Sequence, residues 1–270
     1  MSEVNAVETC RVCPHHCRLK EGQTGFCTAR SINSLNYGEI TSLALDPIEK
    51  KPLKNYMPGS FILSVGSWGC NMKCPWCQND SISRGRCRHI DMTAEELLSK
   101  ALEIENNIGI AFTYNEPLIG YEFVRDTAKL AKEAGLKNVL VSNGMATEEV
   151  FGEVLPYLDA MNIDLKTINA EKYRKIGGDL ETVLRNIKTA QKTAHVEVTT
   201  LIVPGFNDNE EEMEELVRML AEIDPEIPLH VTRFFPAGEM WDAKPTPLKT
   251  LYDMVEIAEQ RLKYVYPGNV

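Results

Sequence analysis

The chain has 270 residues, 43% of them hydrophobic and 25% charged, with a formal net charge of -10. That composition suits one sizeable globular domain with a small appendage, and the acidic balance argues against a broad nucleic-acid-binding face. No apolar run approaches the roughly 18 residues of a membrane helix, and "MSEVNAVETC" lacks the charged-then-apolar order of a secretory signal, so the expected compartment is the cytoplasm and no membrane partner is expected.

In a reducing compartment the eight cysteines read as metal ligands before disulfides. Cys10, Cys13, Cys17 and Cys27 form one group and Cys70, Cys74 and Cys77 a second; Cys87 stands alone, and residues 88–270 contain none. Residues 1–60 read as an irregular Cys-rich extension, with an extended piece in "LNYGEITSLAL" and a Pro/Lys-rich connector, "DPIEKKPLKNYMPGS". The core is expected over residues 61–270.

From residue 61 the rhythm changes. Six short apolar runs, "FILSVG", "IGIAFTY", "NVLVSN", "MNIDLK", "VEVTTLIV" and "LHVTRFF", read as strands. Amphipathic helical segments lie between them. "TAEELLSKALEIE" opens with a capping box from Thr93 to Glu96 and places Leu97, Leu98, Ala101 and Leu102 on one face. "NEEEMEELVRMLAEI" and "PLKTLYDMVEIAEQRLK" carry similar stripes, whose methionines are core residues. Strand–helix alternation with short connections predicts parallel βαβ units. Six units fall short of eight, so the expected fold is α/β, a partial (β/α)6 TIM-like barrel, with a doubly wound sheet as the competing topology.

Both topologies place ligands at the C-terminal ends of the strands, and polar residues collect there. The Cys70–Cys77 loop follows the first strand. Later strand ends supply Asn115 and Glu116, then Ser142, Asn143 and Gly144, then Asp164 and Lys166. Thr199 and Thr200 follow, and the sixth strand gives His230, Thr232 and Arg233. Each tail alone is compatible with a turn, a cap or a buried ion pair; their coincidence points to a site.

Three thiolates at this spacing suit zinc with a remote fourth ligand such as Cys87, copper(I), or a 4Fe–4S cube with one open iron. Cys10, Cys13, Cys17 and Cys27 make a complete four-thiolate set, for zinc or a second 4Fe–4S cluster. His15 and His16 are expected to be exposed loop residues. Cys87 reads as a lone thiol among Arg84, Arg86 and Arg88.

"CNMKCPWC", in the pattern C-x3-C-x2-C with Trp76 before the last cysteine, resembles the signature of the radical S-adenosylmethionine (SAM) superfamily. "TYNEP" lies where that superfamily carries a Gly-Gly-Glu-Pro-type stretch; "SNG" resembles its ribose motif and "DLK" the Asp-x-Lys of the pyruvate formate-lyase activating enzymes. With "CPHHC", "DPIEKKPL" and "RFFPA", the set most resembles the radical SAM member of the AmmeMemoRadiSam group.

The resemblance implies a 4Fe–4S cluster on Cys70, Cys74 and Cys77 whose open iron chelates S-adenosylmethionine, and reductive cleavage to a hydrogen-abstracting 5′-deoxyadenosyl radical. It implies Asn115 and Glu116 near the methionine amine, Ser142 and Asn143 on the ribose, and Trp76 near adenine. Asp164, Lys166, Thr200 and Arg233 complete the expected pocket, with Lys166 or Arg233 pairing the carboxylate. The implied partners are a low-potential donor of the ferredoxin or flavodoxin type and a glycyl radical enzyme or other protein substrate. A sister activity on a small molecule, lipid or nucleic acid is the alternative, and a non-catalytic metal-binding assembly or sensor protein the remote one. Three positions depart from the pattern: Tyr114 and Asn115 replace the two glycines, Val141 stands where an acidic residue of a cation site is common, and Phe234-Phe235-Pro236 replaces a histidine.

Overall fold

The computed structural model describes residues 7–270; the first six, and with them most of "MSEVNAVETC", lie outside the described residues. A single eight-stranded sheet organises the chain. In chain order its strands are β1 (Ser42–Pro47), β2 (Phe61–Gly66), β3 (Asn107–Phe112), β4 (Lys137–Ser142), β5 (Ala160–Asp164), β6 (His195–Ile202), β7 (Leu229–Arg233) and β8 (Val265–Gly268). They neighbour one another in that same order, β1 antiparallel to β2 and every later pair parallel.

Each of β2 to β7 is followed by a helix: α1 (Ala94–Glu103), α2 (Tyr121–Glu133), α3 (Glu148–Val154), α4 (Leu180–Ala190), α5 (Glu210–Ile223) and α6 (Leu248–Glu259). This is the open (β/α)6 barrel expected, with β1 and β8 added at the two edges. Sequential strand order excludes the doubly wound alternative, which reverses direction at a switch point.

The helices form where their caps and stripes direct. Thr93 and Glu96 close a reciprocal capping box on α1, the Thr93 N–H donating to Glu96 Oε2 at 2.8 Å and the Glu96 N–H to Thr93 Oγ1 at 3.2 Å. Leu97 and Ala101 of α1 are buried, but Leu102 is 55% exposed, so the inward stripe is narrower than the pattern suggested. Met213, Leu216, Val217 and Leu220 of α5, and Leu251, Met254 and Ala258 of α6, are buried as their spacing requires.

The inner lining of the barrel is built from Ile48, Leu53, Ile62, Ala111, Val139 and Ala160, one buried cluster. Two of these, Ile48 and Leu53, come from the connector after β1. Asn162 Nδ2 donates to the Pro52 carbonyl at 2.9 Å, and the Lys54 and Asn55 N–H groups donate to the Glu197 carboxylate at 2.9 and 2.7 Å. The connector therefore straps the N-terminal mouth of the barrel. We propose accordingly that the boundary between extension and core lies near residue 41 rather than 60, since β1 and the strap are built into the sheet and its lining.

The cysteine-rich extension docks on the barrel through specific contacts. Glu8–Thr9 pairs antiparallel with Arg18–Leu19 around Cys10–Cys17. Arg30 forks onto both oxygens of Glu122 at 2.7 and 2.8 Å and donates to the Ile119 carbonyl at 2.9 Å. Thr147, which caps α3, donates its N–H to Val12 and its hydroxyl to the Arg11 carbonyl. No described helix is long and apolar enough to cross a membrane.

Candidate cluster and SAM site

The cysteine loop leaves β2 through Gly69, whose φ of +82° suits glycine. A Cβ there would stand 2.7 Å from Ala29 Cβ and 2.8 Å from the Cys27 carbonyl. The extension thus packs directly on the loop, and the Cys70 N–H donates to the Cys27 carbonyl at 3.3 Å. On another side Gly238, after β7, lies where a Cβ would be 2.7 Å from the Pro75 carbonyl, and the Glu239 N–H donates to that carbonyl at 2.7 Å.

Cys70, Cys74 and Cys77 share this loop; Cys74 and Cys77 sit near enough to Cys70 to add to its raised pKa, as Cys77 does to that of Cys74. Burial is the larger cause and pushes the Cys70 and Cys74 thiols up. As free thiols they are protonated, and thiolates at these positions need a cation to compensate for lost water. Cys87 packs instead on the cluster of Cys27, Ala29, Trp68 and Ile119. The donor set of the loop is then three thiolates, which fits a cube with one iron left for another ligand.

A buried carboxylate sits beside this set. Glu116, 2% exposed, follows β3 in "TYNEP". Its Oε1 accepts from the Ser142 hydroxyl at 2.8 Å and the Leu118 N–H at 3.0 Å, and its Oε2 accepts from the Asn143 N–H at 2.7 Å. Burial raises the Glu116 pKa to about 7, against the lowering effect of those hydrogen bonds. Asn143 Nδ2 in turn donates to Asn71 Oδ1 at 2.9 Å and lies 3.6 Å from Cys70 Sγ. Gly144 follows at φ +73°, as its place in "SNG" suggested.

Asp164 and Lys166 form an ion pair at 2.6 Å. Burial works to lower the Lys166 pKa, but Asp164, joined by Cys74 once that residue is a thiolate, outweighs it, and the ammonium stays charged with its pKa above the ordinary lysine range. A cation is therefore held beside the cysteine loop. Trp76, 6% exposed, packs its ring 4.5 Å from that of Phe206, forming an apolar wall. Asn115 is tied to the loop at both ends of its amide, accepting from the Ser67 N–H at 3.0 Å and donating to the Gly69 carbonyl at 3.1 Å.

Tyr114 stands where the resembling motif has glycine, and it adopts the glycine conformation, φ +75°. For a tyrosine this costs roughly 1–2 kcal/mol. What holds it there is visible: its hydroxyl donates to Asp46 Oδ2 at 2.8 Å, its carbonyl accepts from Asn79 Nδ2 at 2.8 Å, and the Lys51 ammonium lies 4.8 Å above its ring. Lys51, 2% exposed on its side chain, pairs with Asp46 at 2.9 Å.

Other expected residues sit differently. On β6, Thr199 shares a face with Glu197 and donates to Asn162 Oδ1 at 2.9 Å. Thr200 lies on the opposite face, buried with its hydroxyl unpartnered, so we propose Thr199 in its place among the pocket residues. Arg233 donates Nε–H to the Thr246 carbonyl at 2.7 Å and stacks 4.8 Å over Phe235. His230 is not at the rim: as the second residue of β7 it sits low in the barrel, 2.6 Å from Glu197 Oε2.

In the extension, Cys13 and Cys27 are buried and Cys10 and Cys17 half-buried. Burial pushes the Cys13 thiol up to about 12, with Cys10 and Cys27 adding to it. Asn71, which the sequence reading missed, works against burial to lower the Cys13 pKa, accepts from Asn143 Nδ2 at 2.9 Å and donates to the Met145 carbonyl at 2.8 Å. It lies between the two cysteine groups. His15 is half-buried rather than exposed, with Nε2 2.9 Å from the Asn71 carbonyl and its ring stacked 4.2 Å from Phe26.

The family model described as the Radical SAM superfamily matches residues 66–220, from the end of β2 into α5. The chain belongs to the radical SAM superfamily. Among relatives of this radical SAM protein, an uncharacterized protein of Methanocaldococcus jannaschii is 43% identical over 97% of this chain and 81% of its own length. A GTP 3',8-cyclase of Peptoclostridium acidaminophilum is 34% identical over 62% of this chain, which spans only 53% of that enzyme. The pyruvate formate-lyase-activating enzyme of Clostridium pasteurianum is 28% identical over 57% of this chain and 67% of its own. A solved domain of the pyruvate-formate lyase-activating enzyme from Bacteroides vulgatus matches the fold with a TM-score of 0.52, at 19% identity, over 59% of this chain and 98% of that one.

Proposed function

We propose that this radical SAM enzyme is of the activating type, passing hydrogen abstraction to a glycine of a partner protein presented at the barrel mouth. The observation that carries the site is the chain of contacts from Glu116 through Asn143 to Cys70, which couples a buried carboxylate to the cluster loop. The chemistry supplied there by a bound 4Fe–4S cluster and S-adenosylmethionine is reductive cleavage of the sulfonium, giving methionine and a hydrogen-abstracting 5′-deoxyadenosyl radical.

The chain's own residues hold, orient and keep dry. Cys70, Cys74 and Cys77 hold the three irons. Glu116 with Asn115 receives the methionine amine, Ser142 and Asn143 the ribose hydroxyls, and the charged Lys166, fixed by Asp164, the carboxylate. Trp76 against Phe206 excludes water from the adenine side. Arg233 borders the mouth. The pyruvate formate-lyase-activating relative supports the activating type. A low-potential ferredoxin or flavodoxin serves as electron donor, and the cytoplasm is the proposed location.

The second metal site is proposed on Cys10, Cys13, Cys17 and Cys27. Its adjacency to the cysteine loop, through the Cys27 carbonyl and the contact of His15 with the Asn71 carbonyl, suits an electron relay if it holds a second 4Fe–4S cluster and a structural staple if it holds zinc. Iron equivalent to two cubes rather than one, measured after anaerobic reconstitution, decides between them.

One observation favours a small polar molecule as the hydrogen donor instead. Between the mouth and the strap lie Asp46, Lys51 and Tyr114 in one hydrogen-bonded set and Asn162 with Thr199 in another. Such groups match a polar solute better than a lipid. The test begins with anaerobic reconstitution, dithionite and S-adenosylmethionine. No 5′-deoxyadenosine from a fully loaded cluster removes the catalytic reading. Production of 5′-deoxyadenosine with a glycyl radical signal on a candidate partner supports the activating type; cleavage without that signal on any partner moves the reading to the small molecule.

A further inference from the structure

Glu39, His89 and Asp91 meet where Glu39–Ile40 pairs antiparallel with Ile90–Asp91, Glu39 directly opposite Asp91. One ligand atom from each lies within 4.8 Å of the other two. The His89 ring is fixed: Nδ1 is 2.9 Å from the Cys87 carbonyl. A carbonyl only accepts, so Nδ1 carries a proton, and in that tautomer Nε2 is the ring atom with a lone pair to offer a cation.

That lone pair faces Glu39 Oε1 at 4.0 Å and Asp91 Oδ1 at 3.8 Å. Both gaps are too long for a hydrogen bond. They suit two ligands about 2.1 Å from a shared ion, which stand roughly 3.4–4 Å apart. Glu39 is fixed as well, its Oε2 accepting from Trp68 Nε1 at 2.5 Å, which leaves Oε1 free to turn toward His89. A histidine held by a carbonyl and a carboxylate held by an indole N–H are the outer supports that orient metal ligands. Arg86 at 3.6 Å from Oε1 competes, but its side chain is 68% exposed and can swing away.

We propose that Glu39, His89 and Asp91 bind one divalent cation with nitrogen and oxygen preference, such as Mn²⁺ or Zn²⁺, separate from both cysteine sites. Asp91, 87% exposed on its side chain, is the open side where water completes the shell. The ion fastens the Cys87–Asp91 segment to Glu39 and, through Glu39, to Trp68, two residues ahead of Cys70.

The test uses the reconstituted full chain, desalted, with its cluster oxidised and therefore silent in the Mn²⁺ resonance. Titration with Mn²⁺ is expected to remove one equivalent of the free Mn²⁺ signal, Zn²⁺ is expected to restore it by competition, and the melting temperature is expected to rise with Mn²⁺. His89→Ala and Asp91→Asn are expected to lose the equivalent and the thermal shift. Asp91→Asn, at an exposed position, is the variant whose folding is secure, and its retained 5′-deoxyadenosine production shows it intact. No saturable Mn²⁺ binding in the parent, or parental binding in Asp91→Asn and His89→Ala, overturns the site.

Discussion

Asn143 places its amide nitrogen 3.6 Å from the sulfur of Cys70 while its backbone N–H holds the carboxylate of Glu116 at 2.7 Å. One residue thus connects the cluster loop with the proposed amine-binding group. Asn143→Ala deletes the side-chain arm and keeps the backbone bond to Glu116. Iron content is expected to stay at the parental level, while 5′-deoxyadenosine formation falls about five- to tenfold, the effect of losing one hydrogen bond of ~1–1.5 kcal/mol in the reacting complex. Loss of iron in this variant would instead make Asn143 a structural prop of the loop.

Glu116 gives the site a pH dependence whose sign can be worked out. Burial raises its pKa to about 7 from an ordinary value near 4.5. The folded chain therefore binds a proton more tightly than the unfolded one, and stability contributed at low pH declines as pH rises from about 4.5 to about 7. Binding of an ammonium requires the ionised form, so affinity for S-adenosylmethionine is expected to weaken about tenfold per unit below pH 7 and to level off above it. Equilibrium dialysis between pH 6 and 8 on the reconstituted protein checks this, with Glu116→Gln expected to bind weakly and without the slope. Parallel profiles for both proteins count against Glu116 as the amine's partner.

The two cysteine groups separate by substitution. Cys74→Ala is expected to abolish 5′-deoxyadenosine formation. Cys13→Ala is expected to leave cleavage measurable with dithionite, because a small reductant reaches the catalytic cluster without a relay, and to lose cleavage driven by flavodoxin if the N-terminal site carries electrons. Equal loss from both variants under dithionite shows the sites to be interdependent.

The barrel was legible in its six central strands because parallel strands covered on both faces read as short, mainly apolar runs between helical segments. The edges were not. In β1, Leu43 and Leu45 point outward and are 36% and 42% exposed, while the inward residues, Asp46 among them, are small or polar, so the strand does not show the usual inside-apolar pattern. Phase was also hidden in β6: Thr199 and Thr200 are both buried, and a one-residue shift exchanges the faces without changing the hydrophobic pattern. The Cys70–Cys77 loop, Glu116, Ser142 and Asn143 are legible as motifs because each lies at or just after the end of a strand. Asn71 was not, because its role comes from Cys13 and Asn143, 58 and 72 positions away, and nothing local marks it. Tyr114 looked like a loss of the glycine geometry; its contacts with Asp46 and Lys51 hold that geometry without glycine.

The strap across the barrel floor supplies the last prediction, which is independent of the metal sites. Glu197, with no exposed side-chain surface, accepts from His195 at 2.9 Å, His230 at 2.6 Å and the Lys54 and Asn55 N–H groups. Burial works to raise its pKa, but the bonds from His195, His230 and the strap outweigh it and hold the carboxyl at about 2. A carboxylate depressed in the folded state contributes stability above its unfolded pKa and loses it as pH falls toward the folded value. Glu197→Gln keeps the shape but cannot accept four bonds, and leaves buried donors unpaired. It is expected to cost about 2–4 kcal/mol at neutral pH, with the gap to the parent narrowing below about pH 4.5. Urea unfolding of both proteins between pH 7 and 3 measures the gap. A cost below about 1 kcal/mol at pH 7 means that the strap is held by Ile48 and Leu53 in the barrel lining, with the carboxylate dispensable.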